Sequence, residues 1–412
     1  METPENTPRP LHLFEGYGVE LEYMIADRQS LNIASLAAEV LAAVGGPWTR
    51  EVERGPLAWS NELTLHVIEL KTNGPAAGLD GLHRLFQQDI EAINKLLDPS
   101  AAVLLPTAMH PWLKPDEEAQ LWQQEDAEIY TALDRIFGCT GHGWKNLQSA
   151  HLNLPFYDEA EFVQLHAAIR LILPLIPALA ASSPFMDGGR GFGALDNRAV
   201  VYQNHCRSFP QAMGLVIPEP VGSIGQYHEV VLQPIYDALK PHDPEGVLAY
   251  DWINARGAIT RFDRQTIEIR LVDVQECPLA DLAIAQLIAR SIQKLIARVP
   301  ADPDTALSSA RLHGILQQTI QDAQDARIDD ADYLCLLGLP DTPCSAGAVW
   351  QHLLSTAGGF DPEQEQAAEN ILRFGTLASR MRNRVSESAE GGTPALYRTL
   401  ADCLALGRML LP

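Results

Sequence analysis

Cysteine is scarce in this chain and is not arranged for metal or redox work. The six, Cys139, Cys206, Cys277, Cys335, Cys344 and Cys403, contain no CxxC pair, and no Cys/His cluster has zinc spacing. They read as reduced thiols of a cytosolic protein. A long unbroken apolar run is also missing. The most apolar stretch, Leu165 to Phe185, contains Arg170, Pro174 and Pro177, which makes a poor membrane span and a good buried helix. The polar, Pro-rich start, Met1 to Pro10, lacks the basic start and apolar stretch of a signal peptide, so a cytoplasmic location is expected. Basic residues are in short supply, 30 Lys and Arg against 53 Asp and Glu, for a net charge of -23. That argues against a general nucleic-acid or anionic-membrane binder, because phosphates are repelled. A nucleotide substrate stays admissible, since metal ions and a few arginines can hold it locally.

There is no internal repeat, no long low-complexity segment and no linker that forces a domain boundary. With 412 residues, 46% hydrophobic and 20% charged, the chain reads as an ordinary globular protein with a large core. Met1–Leu11 is expected to be a loose tail. Three- and four-residue apolar spacing predicts helices over Leu36–Val44, Leu79–Leu97, Glu117–Phe137, Asp158–Ala181 and Leu279–Val299. Short alternating segments predict strands at Gly18–Ile25, Glu62–Leu70, Ser149–Phe156, Ala258–Phe262 and Thr266–Asp273, the last two joined as a hairpin through Asp263-Arg264-Gln265. After about residue 301 the signals are helical: Ala306–Asp325, Pro362–Glu387 and Ala395–Leu410. Mixed elements followed by helices alone predict an α+β protein: an antiparallel sheet backed by helices across residues 12–300, with a helical part, 301–412, packed on it.

Three strands share one pattern. In Gly18–Ile25, Val19, Leu21, Tyr23 and Ile25 oppose Glu20, Glu22 and Met24. In Ser149–Phe156, Ala150, Leu152, Leu154 and Phe156 oppose Ser149, His151 and Asn153. In Thr266–Asp273, Ile267, Ile269 and Leu271 oppose Thr266, Glu268 and Arg270. Such alternation is what any half-exposed antiparallel strand shows, and one E-x-E or E-x-R pair is more often a solvated face or a cross-strand ion pair. Two features weigh the other way. Lysine is absent from all three polar faces. Carboxylates at i and i+2 sit roughly 6–7 Å apart, which suits gripping a hard cation.

Gly18-Val19-Glu20-Leu21-Glu22 resembles the opening strand of the glutamate–cysteine ligase family of the second bacterial type, which includes carboxylate–amine ligases. Five further segments match in order: Ile68-Glu69-Leu70-Lys71-Thr72, Met109-His110-Pro111-Trp112, Ser149-Ala150-His151-Leu152-Asn153, Ala180–Phe185 with the loop to Arg198, and Thr266–Arg270 with Asp273. The resemblance covers roughly residues 12–300. It implies a glutamine-synthetase-like sheet, curved into half a funnel, with ATP at one end, carboxylate substrate at the other and Mg2+ between. Glu20, Glu22, Glu69 and Glu268 would then be metal ligands. His151 and Asn153 would lie beside the nucleotide, and Arg198 and Arg270 would neutralise the transferring phosphoryl group or the substrate carboxylate. The implied reaction joins a carboxylate to an amine through an acyl phosphate, with glutamate and cysteine as candidate substrates.

Two departures bear on the acceptor. The family's second His is Asn153 here, and a carboxylate expected four residues before Glu69 is Leu65. Glu62 could replace it, but on one regular strand Glu62 and Glu69 would face opposite ways, so a bulge would be needed. A ligase using another carboxylate or amine, or a non-catalytic ligand-binding relative, are the competing readings. The Gly-rich stretch Asp187–Gly193 has no Gly-Lys-Ser/Thr and is read as a mobile loop over the substrate rather than a P-loop. Ser182 and Ser183 lack a nucleophile elbow and read as a helix-end turn. Arg261 could reach phosphate, although a surface pair explains it as well. His110 is as readily structural as catalytic. Arg373, Arg380, Arg382 and Arg384 read as a solvated or interface helix face. The oligomeric state stays open, a homodimer included.

Overall fold

The computed structural model describes residues 10–189, 193–299, 302–387 and 392–412. Most of the expected N-terminal tail and Arg190 to Phe192 of the Gly-rich stretch therefore lie outside the described residues. The strands are β1 (Gly18–Asp27), β2 (Glu51–Arg54), β3 (Leu57–Asn61), β4 (Val67–Thr72), β5 (Ala102–Leu105), β6 (Ser149–Pro155), β7 (Ala258–Arg261) and β8 (Thr266–Asp273). They form one antiparallel sheet in the order β2-β3-β4-β1-β6-β8-β7, with β5 paired to the far end of β1. Six helices matter below: α1 (Leu82–Leu97), α2 (Glu159–Ile172), α3 (Asn197–Tyr202), α4 (Pro278–Leu295), α5 (Leu377–Glu387) and α6 (Gly392–Leu406).

Alternation decides which side of the sheet meets which helices. Val19, Leu21, Tyr23 and Ile25 of β1, with Leu57, Trp59, Ile68, Leu70, Leu152, Leu154, Ile267 and Ile269, enter one continuous apolar core. Phe86, Ile90 and Ile93 of α1, Phe162 and Leu165 of α2, and Leu282 and Leu287 of α4 pack against them. Two polar ties fix these helices to the strands: Trp59 Nε1 donates to Asp89 at 2.8 Å, and the Tyr23 hydroxyl donates to Asp281 at 3.2 Å. The same core runs on through Leu312, Ile315, Trp350 and Ile371, so the helices beyond residue 301 share it. The last two helices do something different. Leu377 and Met381 of α5 and Leu396, Tyr397 and Leu400 of α6 cover Met24, Ala26 and Leu105. Met24 has the same parity as Glu20 and Glu22, so α5 and α6 lie over the glutamate-bearing face of the sheet at the far end of β1.

Several sequence expectations change in detail. The predicted helix over Glu117–Phe137 is a turn, Pro115–Glu118, and a helix, Ala127–Phe137. Between them Trp122 is drawn into the core, its backbone N–H donating to Leu63 O at 2.9 Å and its indole N–H to Glu125 O at 2.9 Å. The predicted Asp158–Ala181 helix stops at Ile172, because Pro174 and Pro177 cannot donate to the preceding turn. Pro362–Glu387 is two helices, split at Gly375, whose φ of 95° no helix accommodates. Arg380 is not on a solvated face: it is buried and bonds Glu276 at 2.6 Å. All six cysteines are free. Among the described residues, no helix is long and apolar enough to cross a membrane.

Candidate active site

Strand register turns the polar faces into a lattice of side chains. One row runs Glu51, Ser60, Glu69, Glu22 across β2, β3, β4 and β1. The next runs Ala58, Lys71, Glu20, His151 across β3, β4, β1 and β6. A third runs Gly18, Asn153, Glu268 across β1, β6 and β8. Thus Glu20, Glu22, Glu69 and Glu268 project onto one face, together with His151 and Asn153.

His151 is the hub. Its Nδ1 lies 2.9 Å from Glu20 Oε2 and 3.9 Å from Glu268 Oε1, and its Nε2 lies 3.6 Å from Glu22 Oε1. Ser149 donates its N–H and its hydroxyl to Glu22, at 2.8 and 3.1 Å. With that hydroxyl hydrogen committed, Ser149 Oγ can only accept from His151 Nε2, 2.9 Å away. Both ring nitrogens therefore donate, which makes His151 an imidazolium. Burial alone would lower its pKa, but Glu20, Glu22 and Glu268 raise it to about 9. Reciprocally, burial would raise Glu20, yet His151 holds it well below the usual carboxylate range. Asn153 Nδ2 supports Glu20 Oε1 at 3.0 Å.

The β8 end is cationic. Arg270 grips Glu268 Oε1 through Nε at 3.0 Å and Nη2 at 2.6 Å, and Arg261 Nη1 approaches Glu268 Oε2 at 3.4 Å. Burial would raise Glu268, but Arg270 outweighs it and lowers the carboxyl. Arg261, which sequence alone left between surface pairing and site, thus reaches the face. Arg198 stands behind it. Only 2% exposed, it donates to Arg270 O at 2.9 Å, meets Asp273 at 3.4 Å and stacks 5.7 Å over Tyr202 of α3. The β6–β8 register slips between Ala150 and Leu152, with β8 spending the extra residue. That bulge lets Glu268 and Asp273, five apart in sequence, both pair with the polar-face residues Asn153 and Ser149.

The β4 end is anionic. Glu69 Oε2 accepts from Ser60 at 2.5 Å and lies 3.2 Å from Lys71 Nζ. Burial lifts Glu69 to about 7, although Lys71 pulls against it. Glu62 belongs here too: burial, with Glu22 and Glu69 beside it, pushes its carboxyl well above the usual range. No bulge is needed. The predicted Glu62–Leu70 strand is a hairpin connection followed by β4, and Ser60 opposes Glu69, so Glu62, two residues on from Ser60, has the same parity as Glu69. Sequence reasoning missed Ser60, Ser149 and Lys71 as site residues. Lys71 was legible, two residues after Glu69 and so on its face. His110 is structural: buried, with its Nε2 2.7 Å from Leu31 O, and lowered by burial to about 4. Ser182 and Ser183 follow the short helix Pro177–Ala180 and tie its end to β8, their hydroxyls donating to Val274 O and Asp273.

The donor set fits divalent cations. Glu20, Glu69 and His151 each hold a candidate ligand atom within 4.8 Å of the others, and His151 becomes a ligand only when the entering ion displaces one of its ring protons. Burial, and for Glu62 its neighbours Glu22 and Glu69, lifts the Glu62 and Glu69 carboxyls, and a hard, oxygen-seeking ion would favour their charged forms.

Residues 17–332 match glutamate–cysteine ligase family 2. An uncharacterized protein of Archaeoglobus fulgidus is 35% identical over 285 residues, covering 69% of this chain and 76% of that one. A protein of Clavibacter michiganensis, provisionally named glutamate–cysteine ligase 2, is 28% identical over 190 residues. That match spans only 45% of the relative's length. The crystal structure of a glutamate–cysteine ligase of Francisella tularensis in complex with AMP aligns over 95% of this chain and 88% of that one. Its TM-score is 0.58 at 12% identity, which establishes a shared fold. The sheet is the antiparallel, helix-backed sheet of the glutamine-synthetase-like fold that the sequence motifs led us to expect.

Proposed function

The chain belongs to glutamate–cysteine ligase family 2, and on that premise we propose that it is an ATP- and Mg2+-dependent carboxylate–amine ligase forming a γ-glutamyl-type amide. The observation that carries this reading is the lattice of Glu20, Glu22, Glu69 and Glu268 around His151, closed at its β8 end by Arg270. Those four glutamates are the residues to hold Mg2+, whose charge offsets that of the triphosphate during transfer. In this reading the substrate carboxylate attacks the γ-phosphorus in line. The bond to the bridging oxygen breaks and ADP leaves, giving an acyl phosphate. The amine then attacks the acyl carbon, loses a proton and expels phosphate. Arg270, whose Nε–Nη2 edge Glu268 holds in place, offers its remaining guanidinium N–H groups to an equatorial phosphoryl oxygen. Arg198 acts through Arg270, bracing its backbone from behind. Exclusion of water decides between amide and hydrolysis.

A second reading keeps the chemistry and changes the acceptor to an amine other than cysteine. The observations in its favour are Asn153, committed to Glu20, and Glu62, which supplies a carboxylate from a different chain position than Leu65. One experiment tests both: release of ADP, with Mg2+ present, across pairs of amino acids. ADP release that needs both a carboxylate and an amine supports the ligase, and the productive amine names the acceptor. Nucleotide-dependent thermal stabilisation with no ADP release from any pair would identify a non-catalytic relative and overturn the proposal.

A further inference from the structure

The Glu69 side of the carboxylate face already contains a cation. Lys71 sits on β4 between Ala58 of β3 and Glu20 of β1, in the row that ends at His151. Ala58 presents only a methyl group beside it. The ammonium lies 3.2 Å from Glu69 Oε2 and 2.8 Å from Glu51 Oε2. Glu69 Oε2 also takes the Ser60 hydroxyl at 2.5 Å, so both lone pairs of that oxygen are engaged. A lysine is a compact point charge with three donors, close in size and demand to a small hydrated cation. Burial works against its charge, yet Glu69 and Glu51 hold the ammonium above the ordinary lysine range. The other face residues are disposed differently: Glu20, Glu22 and Glu268 all reach His151, and Glu20 also lies beside Glu69.

We propose that Lys71 is a built-in counter-cation that takes the place of one divalent ion on the Glu69–Glu51 side of the face. It thereby sets how many such ions the chain binds. The inference rests on the reading of this face as a metal site. A second divalent ion near Glu69 Oε2 would meet the ammonium as a like charge, and the oxygen has no free lone pair for it. Removing the ammonium opens that oxygen and leaves Glu69 and Glu51 as an unneutralised pair, a set of hard ligands that a divalent ion can fill.

The test is a Mn2+ titration of the metal-depleted full chain without nucleotide, with free Mn2+ read by electron paramagnetic resonance. Lys71→Gln should bind one Mn2+ per chain more than the parent. Lys71→Met, which keeps the unbranched stem and its packing, should do the same. Both should melt below the parent in chelator and recover the difference with Mn2+; a variant that folds only with Mn2+ gives the same answer. Equal numbers and affinities in parent and variants would overturn the proposal, because Lys71 would then simply swing out to Glu51 when metal arrives. Glu20→Gln separates this from the underlying reading. If it leaves Mn2+ binding by the parent untouched, the metal assignment of the face fails, whatever the Lys71 variants do. No Mn2+ binding by any of these proteins would remove both.

Discussion

At the level of single residues the site is a balance of charges held by short contacts. Glu268 spends both oxygens on arginines, one on the Arg270 fork and one on Arg261. A surface ion pair of this kind would be worth at most about 1 kcal/mol, and swapping its arginine for lysine would change little. If Arg270 instead serves the transferring phosphoryl group, Arg270→Lys keeps the charge and loses the bidentate grip. The expected result is a fall in the rate of ADP formation of roughly 10²-fold, with unfolding free energy shifted by only about 1 kcal/mol. Single-turnover ADP formation beside urea unfolding reads both, and full turnover in the variant would refute the role. Glu268→Gln has another signature. It keeps shape but loses a charge from the metal-facing set, so the Mg2+ concentration for half-maximal activity should rise. An unchanged Mg2+ requirement would place Glu268 in service of Arg270 alone.

At the level of elements, the connection that most needs its partner joins the end of the sheet to α5. Glu276, just after β8, is fully buried and accepts from Arg380 Nη1 at 2.6 Å and from the Leu410 N–H at 3.1 Å. Arg380→Met strands that carboxylate, and a buried charge robbed of its partner costs about 3–5 kcal/mol. Urea unfolding should show a loss of that order, with Glu276→Gln in the same chain restoring much of it. A loss below about 1 kcal/mol would mean water reaches Glu276. The pair was invisible in the sequence because it joins positions 104 apart, and an arginine-rich helix reads as solvated. The strands divide in the same way. β1, β6 and β8 were legible because each has one wet face and one dry face. β5 was not: Leu104 joins the main core and Leu105 the cluster under α5 and α6, so a strand buried on both sides shows no alternation. The Glu62–Leu70 segment misled because parity counted along one strand does not hold across a hairpin, where register decides. The β8 bulge moved Asp273 in the same unreadable way.

At the scale of the whole molecule, a chain with a net charge of -23 concentrates several buried carboxylates on one face, and pH acts on that face both directly and through metal. Consider the metal-free protein. His151 rises from an ordinary 6.5 to about 9 in the fold, so its contribution to stability is complete below pH 6.5 and is lost as pH climbs through 9. Glu69 rises from 4.5 to about 7, so it has the same sign, and its part is lost between those values. Glu62, raised further, adds to that trend, while Glu20, lowered by His151, contributes stability that is lost only in acid. The net expectation is a melting temperature that falls from about pH 5 to pH 9 in chelator, with His151 alone worth on the order of 3 kcal/mol. Metal binding has the opposite slope, because it requires deprotonated ligands and releases their protons. Stabilisation by Mg2+ should therefore be small at pH 5 and grow toward pH 9, flattening the fall. Thermal unfolding across this range, with chelator and with Mg2+, checks both slopes. The His151→Asn variant should lose most of the decline above pH 6.5. A melting temperature independent of pH in chelator would show that the imidazolium and its carboxylates are not coupled to folding, and a constant Mg2+ effect would show that no proton leaves the face when the ion enters.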